Sequence, residues 1–132
     1  MIATLTATLT PSRRWARRNR RALLGISALL ILAAAFGALG PPRAGLSSTA
    51  GPYNLFHLVA GLIGLAVFTS RRGLAAAQFN FGFGLIDLYQ APAGVLGLFP
   101  ARLFGLRPAD HVVHLLFGLA LVAIGARGLR RR

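Results

Sequence analysis

The chain has 132 residues, room for one ordinary domain, yet 55% of them are apolar and only 13% charged, with a mean hydropathy of +0.64. Its 15 basic residues are all arginine, and against them stand only Asp87 and Asp110, giving a net charge of +13. A soluble domain needs a mixed charged surface and a disordered chain needs low hydrophobicity; this composition excludes both, and the lack of cysteine excludes disulfides, zinc–thiolate sites, iron–sulfur clusters and cysteine nucleophiles.

In chain order, residues 1–21 read as a disordered, arginine-rich segment. Crossing a hydrocarbon core of roughly 30 Å takes about 20 helical residues, and four stretches offer that. The first, 22–39, carries no charge, and the second, 53–69, contains His57. The third, 74–99, is the longest and most polar, with Gln78, Asn80, Asp87, Gln90 and Pro92. The fourth, 111–126, opens on His111 and His114. Gly40-Pro41-Pro42, the turn Ser70-Arg71-Arg72-Gly73 and the stretch from Pro100 to Pro108 separate them. Residues 128–132 form a basic tail beyond a 22–127 membrane domain.

The arginines set the expected orientation. Arg13, Arg14, Arg17, Arg18, Arg20 and Arg21 precede the first span, Arg71 and Arg72 follow the second, and Arg127, Arg130, Arg131 and Arg132 follow the fourth. That is twelve on one side against Arg43, Arg102 and Arg107 on the other. The positive-inside rule then places both termini in the cytoplasm of a bacterial inner-membrane protein. A secretory signal is the competing reading of the first span, with Ser12-Arg13-Arg14 as a faint twin-arginine signature. Its 18-residue apolar run exceeds the usual 7–15, however, and cleavage would break the charge pattern. A pI of about 12.0 also suits phosphate binding. The arginines hug apolar spans with no aromatic platform among them, so anionic lipid headgroups at Arg13–Arg21 are the expected partner and nucleic acid is not. Trp15 reads as an interfacial anchor.

Two segments repeat. Asn54-Leu-Phe-His57-Leu58-Val-Ala-Gly61 and His111-Val-Val-His114-Leu115-Leu-Phe-Gly118 share H-L-x-x-G at an offset of 57 residues. Both belong to spans running outside to inside, which reads as a duplicated helical hairpin. His57, Gly61 and Gly64 fall on one helix face, as do His114, Gly118, Leu121 and Gly125, and as do Asn80, Gly84, Asp87, Ala91 and Gly94. Small residues let helices approach closely in lipid, so these faces are expected to turn inward and Gly61, Gly64, Gly84 and Gly118 to mark helix contacts. Counting from the inner breaks puts His57, Asp87 and His114 all roughly 20 Å above the inner boundary, a single polar layer with Ala34 and Ala35 of the first span beside it.

The two motifs, together with Ala109-Asp110 before the second, resemble the repeated histidine–glycine helix motif of a family of small bacterial four-helix membrane proteins known as a domain of unknown function. The resemblance covers roughly residues 20–127. It implies a four-span inner-membrane protein and no particular activity, and Asp87 has no counterpart in the family pattern.

Several chemistries compete for these residues. His57 and His114 on facing helices could ligate a b-type haem. His57, His111 and His114 with Asp110 could hold a divalent metal, although Asp110 more simply caps the last helix. A carboxylate inside a membrane, Asp87, invites a proton-relay or ion-site reading, and Pro92 frees the carbonyl of Leu88 beside it. A hydrogen-bonded polar layer that fixes helix packing explains the same residues. No paired carboxylates, phosphate loop or nucleophile context is present. The expected protein is therefore an all-α, four-helix membrane bundle of two similar hairpins. It is non-enzymatic and cofactor-free, structural or accessory, self-associating or docked to a larger complex. A small transporter or proton conductor using Asp87, His57 and His114 is the alternative, and a haem or metal module the third.

Overall fold

The structure is a computed structural model that describes residues 11–40 and 46–130. The expectations for residues 1–10, Arg43, Arg131 and Arg132 lie outside the described residues. Among the described residues the chain is all-helical: α1 (Pro11–Leu39), α2 (Gly51–Thr69), α3 (Gly73–Leu96), the short α4 (Ala101–Phe104) and α5 (Pro108–Arg130).

Each boundary has a local cause. Pro52 occupies the first turn of α2, where its missing N–H costs nothing. Its fixed φ suits a helix start as well. Gly97 ends α3 in the left-handed conformation (φ 66), with Leu98 N–H donating back to Ala93 O at 2.9 Å, the closure glycine permits. The helix is therefore shorter than the expected third span 74–99, is not among those apolar enough to cross a membrane, and carries Pro92 inside a continuous run. Pro108 starts α5 three residues before His111. Asp110, in that first turn, accepts Arg107 N–H at 2.8 Å, the reciprocal half of a capping box, so it caps from within the helix instead of preceding it.

The largest departure lies in residues 13–21, expected to be disordered. They are helical, the first part of α1: Arg13, Arg14, Arg17, Arg18 and Arg21 occupy its exposed faces, while Arg20 is half-buried against Phe68. Asn19 and Leu23 are fully buried, and with Trp15 they form an i, i+4, i+8 ladder that continues into Ile26, Leu30 and Ala34.

α1 packs most extensively on α2, and α3 on α5; α1 also touches α3 and α5. Ile26, Leu30, Ala60, Phe83 and Leu121 form the apolar centre, with Phe79 and Phe83 stacked at 5.7 Å. Glycines set the seams. A Cβ at Gly61 would press on Ile31 and on Ser27 O of α1, and one at Gly64 on the Ser27 side chain. Gly84 and Gly118 face α5 and α3 respectively, each against opposing backbone. Three helices are long and apolar enough to cross a membrane: Arg13–Leu39, Gly51–Thr69 and Pro108–Arg130. Their outer faces carry exposed Leu32, Phe36, Leu62, Ile63 and Leu116, a surface suited to lipid and not to water.

Candidate ligand cavity

The two ends of the molecule treat polar groups differently. At one end the arginine-bearing segments converge: the Arg18 and Arg127 guanidinium groups lie 4.8 and 5.4 Å from the Trp15 ring, and Arg20 lies 4.8 Å from Phe68. Beneath them Asn80 Nδ2 donates to Asn19 O (2.9 Å) and Oδ1 (3.0 Å), while Asn19 Nδ2 donates to Trp15 O and Ile124 O, both at 3.0 Å. This knot ties α1, α3 and α5 together.

At the opposite end lies a cavity of about 340 Å³. Ile26, Leu29, Leu30 and Ala33 of α1 and Val113 and Phe117 of α5 give it apolar walls; Tyr53, His57, Asp87, Asp110 and His114 give it polar groups. The gap exists because α2 and α5 nowhere bring Cα atoms within 8 Å of each other. Only long side chains cross it. Tyr53 Oη lies 2.9 Å from His114 Nε2, a bond the phenol donates when the imidazole carries its proton on Nδ1. His57, one turn along α2, packs against Tyr53 with ring centroids 4.1 Å apart and the planes tilted by 52°.

His57, Asp87 and His114 all line this one cavity. They do not hold one another there. Asp87 is 4% exposed and has no hydrogen-bond partner among the described residues; His57, also buried, likewise has none. A packing role consumes hydrogen-bonding capacity, and here that capacity is left pointing into the cavity. Asp110 is differently placed. Its Oδ2 accepts Ser48 N–H and Arg107 N–H, both at 2.8 Å, and Ser48 Oγ donates to Phe104 O, so the 46–50 segment is strapped across this end.

The expected metal set of His57, His111 and His114 does not converge, and no group of three histidine or acidic residues fit for a metal occurs among the described residues. His111 packs against Gly94 of α3 instead. Haem ligation by His57 and His114 would have to break the Tyr53–His114 bond. Tyr53, Ser48 and Asn19 went unnoticed in the sequence. Tyr53 could have been found, since it lies four residues before His57 on the same helix face.

The charge balance of the cavity is its most informative feature. The chain has 15 arginines and two acidic residues; both acidic residues line the cavity, and among the described residues no arginine does. Its volume falls in the roughly 300–1,000 Å³ range of small-molecule sites. Compared with known proteins, the chain matches no family model, no curated protein and no solved structure.

Proposed function

We propose that this is a four-span inner-membrane protein with both termini cytoplasmic, non-enzymatic, whose outer-end cavity binds a small organic cation. The observation that carries the reading is the placement of both carboxylates of an arginine-rich chain around one cavity that no arginine lines among the described residues. In a membrane a buried carboxylate with no internal partner is a costly feature that packing alone does not require. An ammonium group supplies both the opposite charge and the donors that Asp87 lacks, and the Tyr53 ring adds a face for it.

The fourth span in this reading is α3. Its polar residues are turned inward, Asn80, Asp87 and Gln90 each being at most 4% exposed, which leaves Leu85, Ile86 and Val95 for lipid. An even number of spans agrees with the convergence of the arginine clusters at one end, where anionic headgroups would meet them. A two-hairpin bundle is supported by the pairing of α1 with α2 and α3 with α5, each closed by the glycines of an H-L-x-x-G helix.

The test is thermal unfolding of the detergent-solubilised chain with benzylammonium chloride against sodium benzoate at matched ionic strength. The cation should stabilise by about 2.7 kcal/mol at a hundredfold excess over Kd, and Asp87→Asn should abolish the effect. Equal response to both salts refutes the reading. A proton relay through Asp87, His57 and His114 is the second reading, favoured by the Tyr53–His114 bond; proton flux into vesicles lost in Asp87→Asn, without amine stabilisation, would select it.

A further inference from the structure

We infer that the ligand is an amphiphile: an alkylammonium whose head meets Asp87 and whose chain leaves sideways, between α1 and α5, into the bilayer. This rests on the cation-binding reading above and specifies its ligand class and its route of entry.

The cavity's surroundings suit an amphiphile better than a water-soluble amine. At the end facing water the 46–50 segment crosses it, with Ser48 held by both Asp110 and the Phe104 carbonyl and only Thr49 of its lining there exposed. The side is apolar. Leu29 of α1 and Val113 and Phe117 of α5 line the cavity and are also 42%, 46% and 37% exposed on the outer surface. Residues that face the cavity and the outside at once form its rim. Both rim helices are span-capable, so what lies beyond the rim is acyl chain. A bare ammonium would have to cross that apolar seam, whereas an alkylammonium partitioned in the leaflet already has its chain there and needs only to slide its head inward. The floor it reaches is the opposite in character: Tyr53, His57, Asp87 and His114, with Asp87 unpartnered among the described residues. An alkyl sulfate or fatty acid would set a second anion against Asp87 and Asp110, so charge selects the cation.

The experiment uses the full chain in nanodiscs of zwitterionic lipid and an n-octylammonium probe carrying a diazirine near its chain end, with labelled positions mapped by mass spectrometry. Labelling should concentrate on Leu29, Val113 and Phe117, fall on adding excess unlabelled n-octylammonium chloride, and drop about tenfold in Asp87→Asn, the effect of removing one charge-assisted hydrogen bond. Val113→Phe narrows the rim and should cut labelling at Leu29 and Phe117. Labelling spread evenly over lipid-facing positions such as Leu62 and Leu116, and indifferent to both substitutions, overturns the lateral route. Benzylammonium stabilisation then separates the two failures: if it persists, only the amphiphile and its route are wrong, and if it is absent the cation-binding reading falls as well.

Discussion

The α3–α5 seam gives the most direct measure of how tightly this chain is packed. A Cβ added at Gly118 would stand 2.8 Å from the Leu88 backbone nitrogen and 2.8 Å from Leu88 Cγ, against 3.4–4 Å for ordinary contact. The helices must therefore separate by about 0.6 Å, a gap that forfeits roughly a quarter of the dispersion well for each facing atom pair. Overpacking of this kind costs about 1–3 kcal/mol, and the better helix propensity of alanine returns up to about 1 kcal/mol. Gly118→Ala should thus destabilise by about 1–2 kcal/mol. Gly25→Ala is the control: a Cβ there meets nothing within 4 Å, so the propensity gain stands alone and the variant should be neutral or slightly stabilised. Unfolding in mixed micelles of rising SDS fraction measures both. Gly84→Ala presses on the same seam, 2.8 Å from Val122 N and 3.0 Å from Gly118 O, and combining it with Gly118→Ala should cost less than the two single effects added, because one separation relieves both contacts. A Gly118→Ala chain as stable as Gly25→Ala would refute the close approach of α3 and α5.

Three other outcomes are expected. Asn80→Leu removes both hydrogen bonds to Asn19 and should cost about 1–2 kcal/mol by the same unfolding assay; no loss would mean the knot does not tie α1 to α3. Asp110→Ala frees Ser48 N–H and Arg107 N–H, so amide exchange at those two sites should rise at least about tenfold, while amides along the α3–α5 seam stay protected. Unchanged exchange at Ser48 would show that the strap is held some other way. Because the chain contains no cysteine, single Leu46→Cys and Arg130→Cys variants report orientation without background: an impermeant maleimide on intact cells should label the first, and the second only after lysis. The reverse pattern would invert the proposed topology.

What the sequence reveals and what it conceals divide along the range of the interactions involved. Helices and their apolar faces follow from local periodicity, which is why the stretches around residues 22–39, 53–69 and 111–126 are readable as spans and correspond to α1, α2 and α5. The level of His57, Asp87 and His114 is readable too, because a fixed rise per residue converts spacing to depth. Partners are not readable in this way. Asp110 carries a clear helix-start signal, but its bond to Ser48 spans 62 residues of chain and leaves no local trace. Asn19 is concealed by its neighbours: six arginines within residues 13–21 imitate a solvated tail, while the one face that decides the matter consists of Trp15, Asn19 and Leu23. The i, i+3 spacing of His111 and His114 allowed a shared metal site as one option, but the His111 ring faces Gly94 and His114 bonds to Tyr53, neighbours that only the tertiary packing reveals.

The contrast between the two ends bears on function. At the arginine end the buried amides bond to one another: Asn80 Nδ2 donates to Asn19, whose own Nδ2 donates to Ile124 O, so that two fully buried side chains fasten three helices. That is what polar groups do when their role is to hold helices together in lipid. At the other end the chain positions a carboxylate and an imidazole, Asp87 and His57, without hydrogen-bond partners among the described residues and beside a gap between α2 and α5 that Tyr53 spans. Closing that gap with apolar side chains would remove the cost of burying them. Among the described residues the molecule thus builds polar glue at one end and leaves Asp87 without a hydrogen-bond partner at the other, and the proposed cation would supply the hydrogen bonds and countercharge that its burial demands.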